Sequence, residues 1–280
     1  MARIRVVTDS ACDLAPDVAE SHGITVVPLS IRFGAEEFVD GRDLTTAEFW
    51  ARCKASDMLP ETAAPSPGAF QKAFESAAAD GYDGVISLSL SGGVSATFQA
   101  AAAAANALAG TVDVRALDTR SMTMGLGLIC LDIADRAATG AGLEALEARV
   151  AELVPRTRVF GLVDTLEHLE KGGRIGGARA LLGSLLSIKP VVTLVDGEVA
   201  EESKQRTRAR SLRYLADKAL ESPPLSRIAV ADGAATDIDA FLALIEGVRS
   251  EHPIIVGQLG PVVGTHTGPG TIGLCMIPAD

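Results

Sequence analysis

Aromatic residues are scarce in this chain, at 4% of its 280 positions, whereas hydrophobic residues of all kinds make up 48%. A chain of this length buries a sizeable core, and that core must be built from aliphatic and alanine side chains. Aliphatic walls suit a saturated chain and offer little surface on which a nucleobase can stack. The composition therefore disfavours the recognition of nucleobases.

Positive charge is also in deficit, because 25 lysine and arginine residues face 36 aspartate and glutamate residues, a formal net charge of −11. A protein that binds nucleic acid neutralises phosphates with an excess of lysine and arginine. The same deficit disfavours binding to an anionic membrane surface. We therefore expect no nucleic acid partner.

Cysteine pairs are absent: Cys12, Cys53, Cys130 and Cys275 are scattered, with no CxxC pattern. This spacing indicates free thiols in a reducing compartment, and neither a disulfide framework nor a zinc site. We accordingly expect no metal and no cofactor.

The sequence also lacks a long hydrophobic run. The longest apolar stretch, residues 181–195, is too short for a membrane span and contains Lys189 and Pro190. Residues 1–7 lead directly into a strand pattern, without the features of a signal peptide. We expect a soluble cytoplasmic protein with no membrane insertion, and we expect a monomer.

Short β-branched runs alternate with helix-favouring segments through the first half of the chain. This order predicts βαβ units and a mainly parallel sheet. Residues 191–201 predict a hairpin about Asp196 and Gly197, in a second half of mixed character. We therefore predict an α/β fold with two domains: a Rossmann-like parallel sheet over residues 1–156 and a mixed α+β sheet over residues 157–280.

Residues 87–99 combine a strand, a glycine- and serine-rich loop and the start of an alanine-rich helix. Free backbone N–H groups and hydroxyls converge at such a point, which suits an anionic group, either phosphate or carboxylate. Taken alone, Ser95 is more typical of a helix N-cap than of a ligand-binding serine. Thr62 in a proline-rich loop and His266 between threonines have equally ordinary interpretations, as turn and loop residues.

Five short motifs, taken in order, resemble the DegV family along nearly the whole chain. They lie at residues 62–68, 90–99, 164–175, 188–190 and 264–270. The resemblance implies a two-domain α/β protein that is not an enzyme and holds a long-chain fatty acid, such as palmitate, in a tunnel between its domains. It further implies that a separate fatty acid kinase receives the presented carboxylate and forms the acyl phosphate.

The resemblance also assigns residues to these roles. The carboxylate contacts fall on Thr62, Ser95 and the backbone of Ala96, with His266 nearby, and Ser91 and Thr97 in support. The surface that meets the kinase includes Arg174 and either Arg206 or Arg208. The chain departs from the family pattern at Ala63 and Ala64, which replace a serine and a glutamine, and at Ala96, which replaces a glycine.

Two other functions remain open on the sequence. Ser95 and His266 occur in an order that a serine hydrolase acting on a lipid or ester allows, but the second glycine of a nucleophile elbow is missing and no acidic partner is identifiable. The same N–H-rich turn also suits a small carboxylate or phosphate, which needs no deep apolar tunnel.

Overall fold

The computed structural model describes residues 2–55, 58–181 and 188–280, and its first sheet is fully parallel. Its strands, in the spatial order β2-β1-β6-β7, are β1 (Ile4–Asp9), β2 (Ile24–Val27), β6 (Gly84–Ser89) and β7 (Val114–Asp118). Strand β6 is buried along its whole length, as expected for a central parallel strand with helices on both faces.

Helices cover both faces of this sheet. On one face lie α3 (Pro67–Ala79) and α4 (Thr97–Ala107), and on the other lie α5 (Thr123–Ala138) and α6 (Leu143–Leu153). The short helix α1 (Pro16–Ser21) connects β1 to β2. Alanines of α4 allow that helix to approach the sheet closely, which explains how a core with few aromatic residues closes.

A small antiparallel sheet lies beside the first. It has the order β4-β3-β5 and consists of β3 (Ser30–Phe33), β4 (Glu36–Val39) and β5 (Glu61–Ala63), with α2 (Thr46–Ala55) between β4 and β5. On sequence alone, residues 25–31 predict one strand interrupted by Pro28. That prediction is wrong, because β2 and β3 on either side of Pro28 belong to different sheets. Thr62 therefore lies on a strand, opposite Ile31, and not in a loop.

The third sheet is mixed and has the order β10-β9-β8-β13-β11-β12, in which the β11–β12 pair is parallel. Its strands are β8 (Arg158–Leu162), β9 (Lys189–Val195), β10 (Glu198–Gln205), β11 (Leu225–Gly233), β12 (Ile255–Gln258) and β13 (Thr271–Pro278). The predicted hairpin joins β9 to β10, and positive φ angles at both Asp196 and Gly197 suit its two-residue turn. The remaining helices are α7 (Glu167–Lys171), α8 (Arg208–Leu220), α9 (Ile238–Leu244) and α10 (Pro261–Thr267).

Helix α5 connects the two larger sheets. Its residues 123–134 are all buried, and the helix contacts β1 on one side and β11 and β13 on the other. The close approach depends on Gly125, where a Cβ atom would lie 2.4 Å from both the Val159 side chain and Ser121 Oγ. One hydrophobic core therefore runs from the parallel sheet through α5 to the mixed sheet.

The α/β fold with a parallel sheet and a separate mixed sheet is thus confirmed. Strands of the parallel sheet come from residues 4–118 and those of the mixed sheet from residues 158–278, while the domain boundary at 156/157 stays a prediction. The sequence also predicts a helix over residues 178–188. Residues 182–187 of it lie outside the described residues, and Gly176–Leu181, which overlaps its start, forms a 3₁₀ helix. All four cysteines are free thiols, as predicted. None of the helices in the described part of the chain is long and apolar enough to cross a membrane.

Candidate ligand pocket between the two sheets

An apolar pocket lies between the parallel and the mixed sheets, with a volume of about 830 Å³ including its open mouth. The walls are mainly aliphatic side chains from many elements, among them Leu29, Leu90, Met122, Leu169, Val192, Leu194, Val199, Leu259, Val262 and Val263. Such a lining suits a hydrocarbon chain.

Two glycines form part of the pocket wall on the mixed sheet. Gly161 of β8 and Gly273 of β13 both line the pocket and lie directly opposite each other in the antiparallel pair. Because neither has a side chain, the sheet backbone itself is accessible at this point. A ligand can therefore lie flat against the sheet where any other residue pair would fill the space.

Three of the residues singled out from the sequence, Thr62, Ser95 and His266, line this same pocket although they are far apart in the chain. Strand β5 carries Thr62, the loop before α4 carries Ser95, and α10 carries His266. The segment of His266 was expected to be a loop, and the structure corrects this to a helix. Helix α10 forms there because Gly264 allows close contact with Phe49 and Trp50, whose rings would lie 3.0 Å and 2.8 Å from a Cβ atom at that position.

Thr62 and His266 are in direct contact, with 3.0 Å between Thr62 Oγ1 and His266 Nε2. The other ring nitrogen, Nδ1, is buried and has no hydrogen-bond partner among the described residues. Burial lowers the pKa of His266 to about 4, and the nearby positive charge of Arg174 acts in the same direction. The imidazole is therefore neutral at physiological pH and serves Thr62 as a neutral hydrogen-bonding partner.

Gly172 makes this position of His266 possible. A Cβ atom on Gly172 would lie 2.4 Å from His266 Nδ1, closer than any side chain permits. The glycines after α7 thus do more than end a helix, because the first of them leaves room for the imidazole ring. Sequence reasoning missed this role, since spacing alone does not reveal which distant ring a glycine faces.

The turn before α4 holds Ser95 at the pocket. Ser95 Oγ lies 2.9 Å from Thr97 Oγ1 and accepts a longer hydrogen bond, 3.3 Å, from the backbone N–H of Thr97. The residue at the N-cap position is Ala96, which has no side-chain cap, so the N-cap interpretation of Ser95 was wrong by one position. Ala96 is exposed, and its backbone N–H donates to no acceptor within the described part of the chain.

Ser91 fixes this turn to the mixed sheet. Its buried hydroxyl donates to the carbonyl oxygen of Gly197, at 2.6 Å, and accepts from the N–H of Gly93, at 3.2 Å. The tip of the β9–β10 hairpin in the mixed sheet therefore contacts the loop that carries Ser95. Ser91 does not line the pocket and acts by holding the loop in place.

Three acidic side chains are enclosed near the loops that lead to the pocket. Asp9 accepts hydrogen bonds from the N–H groups of Leu90, at 2.8 Å, and Ala11, at 3.1 Å, while Asp13 accepts one from the hydroxyl of Thr123, at 2.6 Å. Burial raises the pKa of Asp9 to about 7, that of Asp13 to about 8 and that of Asp40 to about 6. Asp9 is the last residue of β1, and nothing in the local sequence reveals that the three carboxyl groups share an enclosed region.

The arginines assigned to a partner surface have different environments. Arg174 lines the pocket and donates from Nε to the carbonyl of Val94, beside Ser95, at 3.1 Å. Arg206 is exposed. Arg208, in contrast, is half-buried and donates to both carboxylate oxygens of Asp237, to Asp164 and to the carbonyl of Gly270. Its guanidinium holds the start of α8 to neighbouring loops.

Comparison with known proteins gives the chain a family. Residues 3–279 match the model of the DegV family, which is described as a family of uncharacterised proteins. The chain belongs to the DegV family. A DegV domain-containing protein of Listeria monocytogenes is 34% identical over 278 residues, which cover 97% of each chain.

Solved structures of DegV proteins share the whole fold. A DegV family protein from Thermus thermophilus, described by its fatty acid binding, is 33% identical, with 99% of this chain and 100% of that one covered and a TM-score of 0.88. DegV from Bacillus subtilis, described as a fatty acid binding protein, is 29% identical with full coverage of both chains and a TM-score of 0.85. A stearic acid-binding protein from Eubacterium ventriosum is 25% identical, with coverage of 99% and 98% and a TM-score of 0.84.

Proposed function

We propose that this DegV family protein binds a long-chain fatty acid in the pocket between its two sheets and presents the carboxylate to a separate kinase, which forms the acyl phosphate. The observation that carries the proposal is the meeting of Thr62, Ser95 and His266 at one apolar pocket. The fatty acid binding of similar DegV structures supports it. In this proposal the protein is a carrier that catalyses no reaction and needs no cofactor.

The carboxylate would be held by neutral donors. The hydroxyls of Thr62 and Ser95 and the free N–H of Ala96 supply three, and each bond left unmade to a buried polar group costs about 1–3 kcal/mol. If His266 carries its proton on Nε2 and donates to Thr62 Oγ1, the Thr62 hydroxyl hydrogen is left to point at the carboxylate. His266 is then a positioning residue for Thr62, and its neutral state matters because a charged imidazole would hold the carboxylate as an ion pair.

The hydrocarbon tail would lie against the aliphatic walls and the Gly161–Gly273 pair. A sixteen-carbon tail gains up to ~12 kcal/mol at ~0.8 kcal/mol per buried methylene. Lost rigid-body freedom and chain ordering remove much of this gain. The tail therefore supplies most of the affinity, while the hydroxyls fix which end of the molecule faces Ser95.

The kinase would approach the side of the pocket where Arg174 lies. We propose Arg174 and Arg206 as the principal charges of the partner surface, because the donors of Arg208 are already engaged by Asp237 and Asp164. Positive charge beside a phosphoryl-transfer site complements nucleotide phosphates and speeds encounter more than it adds affinity. Replacing Arg206 by glutamate should slow acyl phosphate formation by the kinase while fatty acid binding is unchanged.

The geometry gives the serine hydrolase alternative little support. His266 Nε2 contacts Thr62, and Ser95 Oγ contacts Thr97, so the nucleophile and base are engaged with other partners. Within the described residues no carboxylate pairs with His266 Nδ1, although a triad needs an acid to orient the imidazole. A fluorophosphonate probe should leave Ser95 unlabelled, and labelling that disappears in Ser95→Ala would favour the hydrolase.

Mass spectrometry of the gently denatured protein tests the central claim. We expect a co-purifying fatty acid, and we expect the delipidated protein to bind added palmitate or oleate. Thr62→Val removes the hydroxyl at nearly constant volume and should weaken binding about tenfold, the loss of one hydrogen bond to a charged group, whereas Thr62→Ser should retain affinity. A protein that carries no fatty acid and binds neither acid would refute the proposal.

A further inference from the structure

Two cavities of this protein are separated by two side chains. A second groove of about 1430 Å³, its open mouth included, is formed by residues 117–121 and 147–159 and by the hairpin residues 194–197. Val159 and Leu194 line both this second groove and the ligand pocket. These two side chains therefore form the partition between the cavities.

Strand register places this partition at the end of the pocket away from His266. Thr271 begins β13 and its hydroxyl bonds the carbonyls of Thr267, at 3.2 Å, and Gly268, at 2.8 Å, directly after His266. Along β13 the pocket passes Gly273, opposite Gly161, and the next residue of β13 on the same face, Cys275, lies opposite Val159. Thr271 and Cys275 are four residue steps apart along the strand, a distance of roughly 13 Å.

Leu194 lies beside Val159 in the same row of the sheet. The pairs Phe160–Thr193 and Gly161–Val192 fix the antiparallel register of β8 and β9, and its continuation brings Leu194 next to Val159. Alternation of side chains along a strand then puts Val159 on the same face as Gly161, and Leu194 on the same face as Val192. A ligand tail that runs along the strands past Gly273 and Gly161, away from His266, thus meets Val159 and Leu194 next.

Beyond the partition the second groove is lined by both apolar and charged side chains. The apolar part comes from Leu117, Val150, Ala151, Val154, Pro155 and Val195, and Val195 is 56% exposed. The charged part includes Arg120 and Asp196, which form an ion pair at 3.7 Å, together with Asp118, Glu147 and Arg158. A hydrocarbon end fits the apolar part, and its burial there would cover side chains that are otherwise in water.

We propose that Val159 and Leu194 determine the acyl-chain length that the protein accepts, and that the distal methylenes of longer chains pass between them into the second groove. This inference rests on the proposed function, because it requires a fatty acid with its carboxylate at Thr62 and Ser95. Specificity for length then resides in a pair of residues that do not touch the carboxylate.

The test is a series of dissociation constants for saturated fatty acids, from octanoate to behenate in two-carbon steps, measured on delipidated protein by calorimetry. Affinity should rise about fourfold with each methylene buried, until the chain meets an obstacle. In Val159→Phe the affinity should stop increasing at a chain that is at least two carbons shorter than in the unmodified protein. The first chain beyond this new limit should therefore bind about fifteenfold more weakly to the variant than to the unmodified protein. Leu194→Ala should extend the rise to longer chains.

A double variant separates the groove from a general loosening of the pocket. Ala151 lines the second groove only, so Leu194→Ala combined with Ala151→Trp should return the end of the rise to its original length. Val262 lines the ligand pocket only, and Val262→Ala should lower affinity for every chain without moving the end of the rise. Unfolding midpoints of all variants show whether each one folds.

The outcomes are distinct. If the rise ends at the same chain length in Val159→Phe and Leu194→Ala as in the unmodified protein, the inference is wrong although the proposed function stands. The inference is also wrong if Ala151→Trp has no effect in the Leu194→Ala background. If the unmodified protein binds no fatty acid of any length, the proposed function itself fails.

Discussion

Asp13 is an enclosed carboxyl group in an unusual backbone conformation, and replacing it by asparagine should stabilise the protein more as the pH rises. The residue as a whole is half-buried, but its Oδ1 atom is shielded from solvent and has no hydrogen-bond partner among the described residues. Its φ angle is 54°, in the left-handed region that asparagine adopts as readily as aspartate. The amide oxygen of an asparagine at this position can also keep the 2.6 Å contact with the Thr123 hydroxyl.

The size of the effect follows from the pKa. Burial raises the pKa of Asp13 from 3.8 to about 8, so the folded state holds a proton that the unfolded state has lost over that range. The carboxyl group therefore favours folding most below pH 3.8, and this contribution is lost as the pH rises to about 8. At ~1.36 kcal/mol per pH unit the loss reaches about 4 kcal/mol near pH 7 for a fully enclosed group, and we expect about 2–4 kcal/mol for this half-buried residue.

Urea unfolding followed by circular dichroism, repeated from about pH 4.5 to 8.5, measures the difference directly. Asp13→Asn should match the unmodified protein at the acidic end and exceed its free energy of unfolding increasingly toward the basic end. Asp17→Asn, an exposed carboxyl on the neighbouring α1, is the matched control and should change little at any pH. A stability difference that is independent of pH, or a variant less stable at the basic end, would refute the reasoning.

Three further changes test other parts of the structure. Gly264→Ala would place a Cβ atom 2.8 Å from the ring of Trp50, so the free energy of unfolding should fall by about 1–3 kcal/mol in urea, with altered Trp50 fluorescence. Burial lowers the pKa of His266 from 6.5 to about 4, so its contribution to stability is complete above pH 6.5 and is lost toward pH 4. His266→Gln should remove about 3 kcal/mol of that pH dependence. The measurement is the difference in the free energy of unfolding between the variant and the unmodified protein from pH 6.5 to pH 4. Asp132→Asn leaves the buried Arg149 without the carboxylate that accepts from its Nε at 3.1 Å, which should cost about 3 kcal/mol in thermal or urea unfolding, and Arg149→Met in the same chain should recover part of the loss.

The sequence was sufficient to predict the α/β fold because the parallel sheet depends on a strong signal. Its central strand β6 is buried throughout and is followed by a glycine–serine turn and an alanine-rich helix. The small antiparallel sheet escaped prediction because its strands have only three or four residues of mixed polarity. Helix α10 escaped for a different reason: glycine and threonine are weak helix formers, and contacts with α2 override their propensity.

The pocket could be predicted in part. Thr62, Ser95 and His266 line one pocket, although ordinary turn, cap and loop interpretations were available for each. Two features needed the structure: the room that Gly172 leaves for His266, and the occupation of Arg208 by Asp237 and Asp164. Both depend on contacts between residues that are far apart in the chain, and the local spacing of residues does not reveal such contacts.

The polar and apolar parts of the pocket restrict the sequence to different degrees. This difference affects how the ligand preference of such a protein can change by substitution. A hydroxyl must stand at one position in one turn to reach a carboxylate, so the residues around Thr62 and Ser95 form recognisable motifs. A hydrophobic wall needs only the right volume, which many aliphatic residues supply, so Val159 and Leu194 lie in strands with no motif. Chain-length preference can therefore shift by substitution at the partition while the carboxylate donors stay as they are.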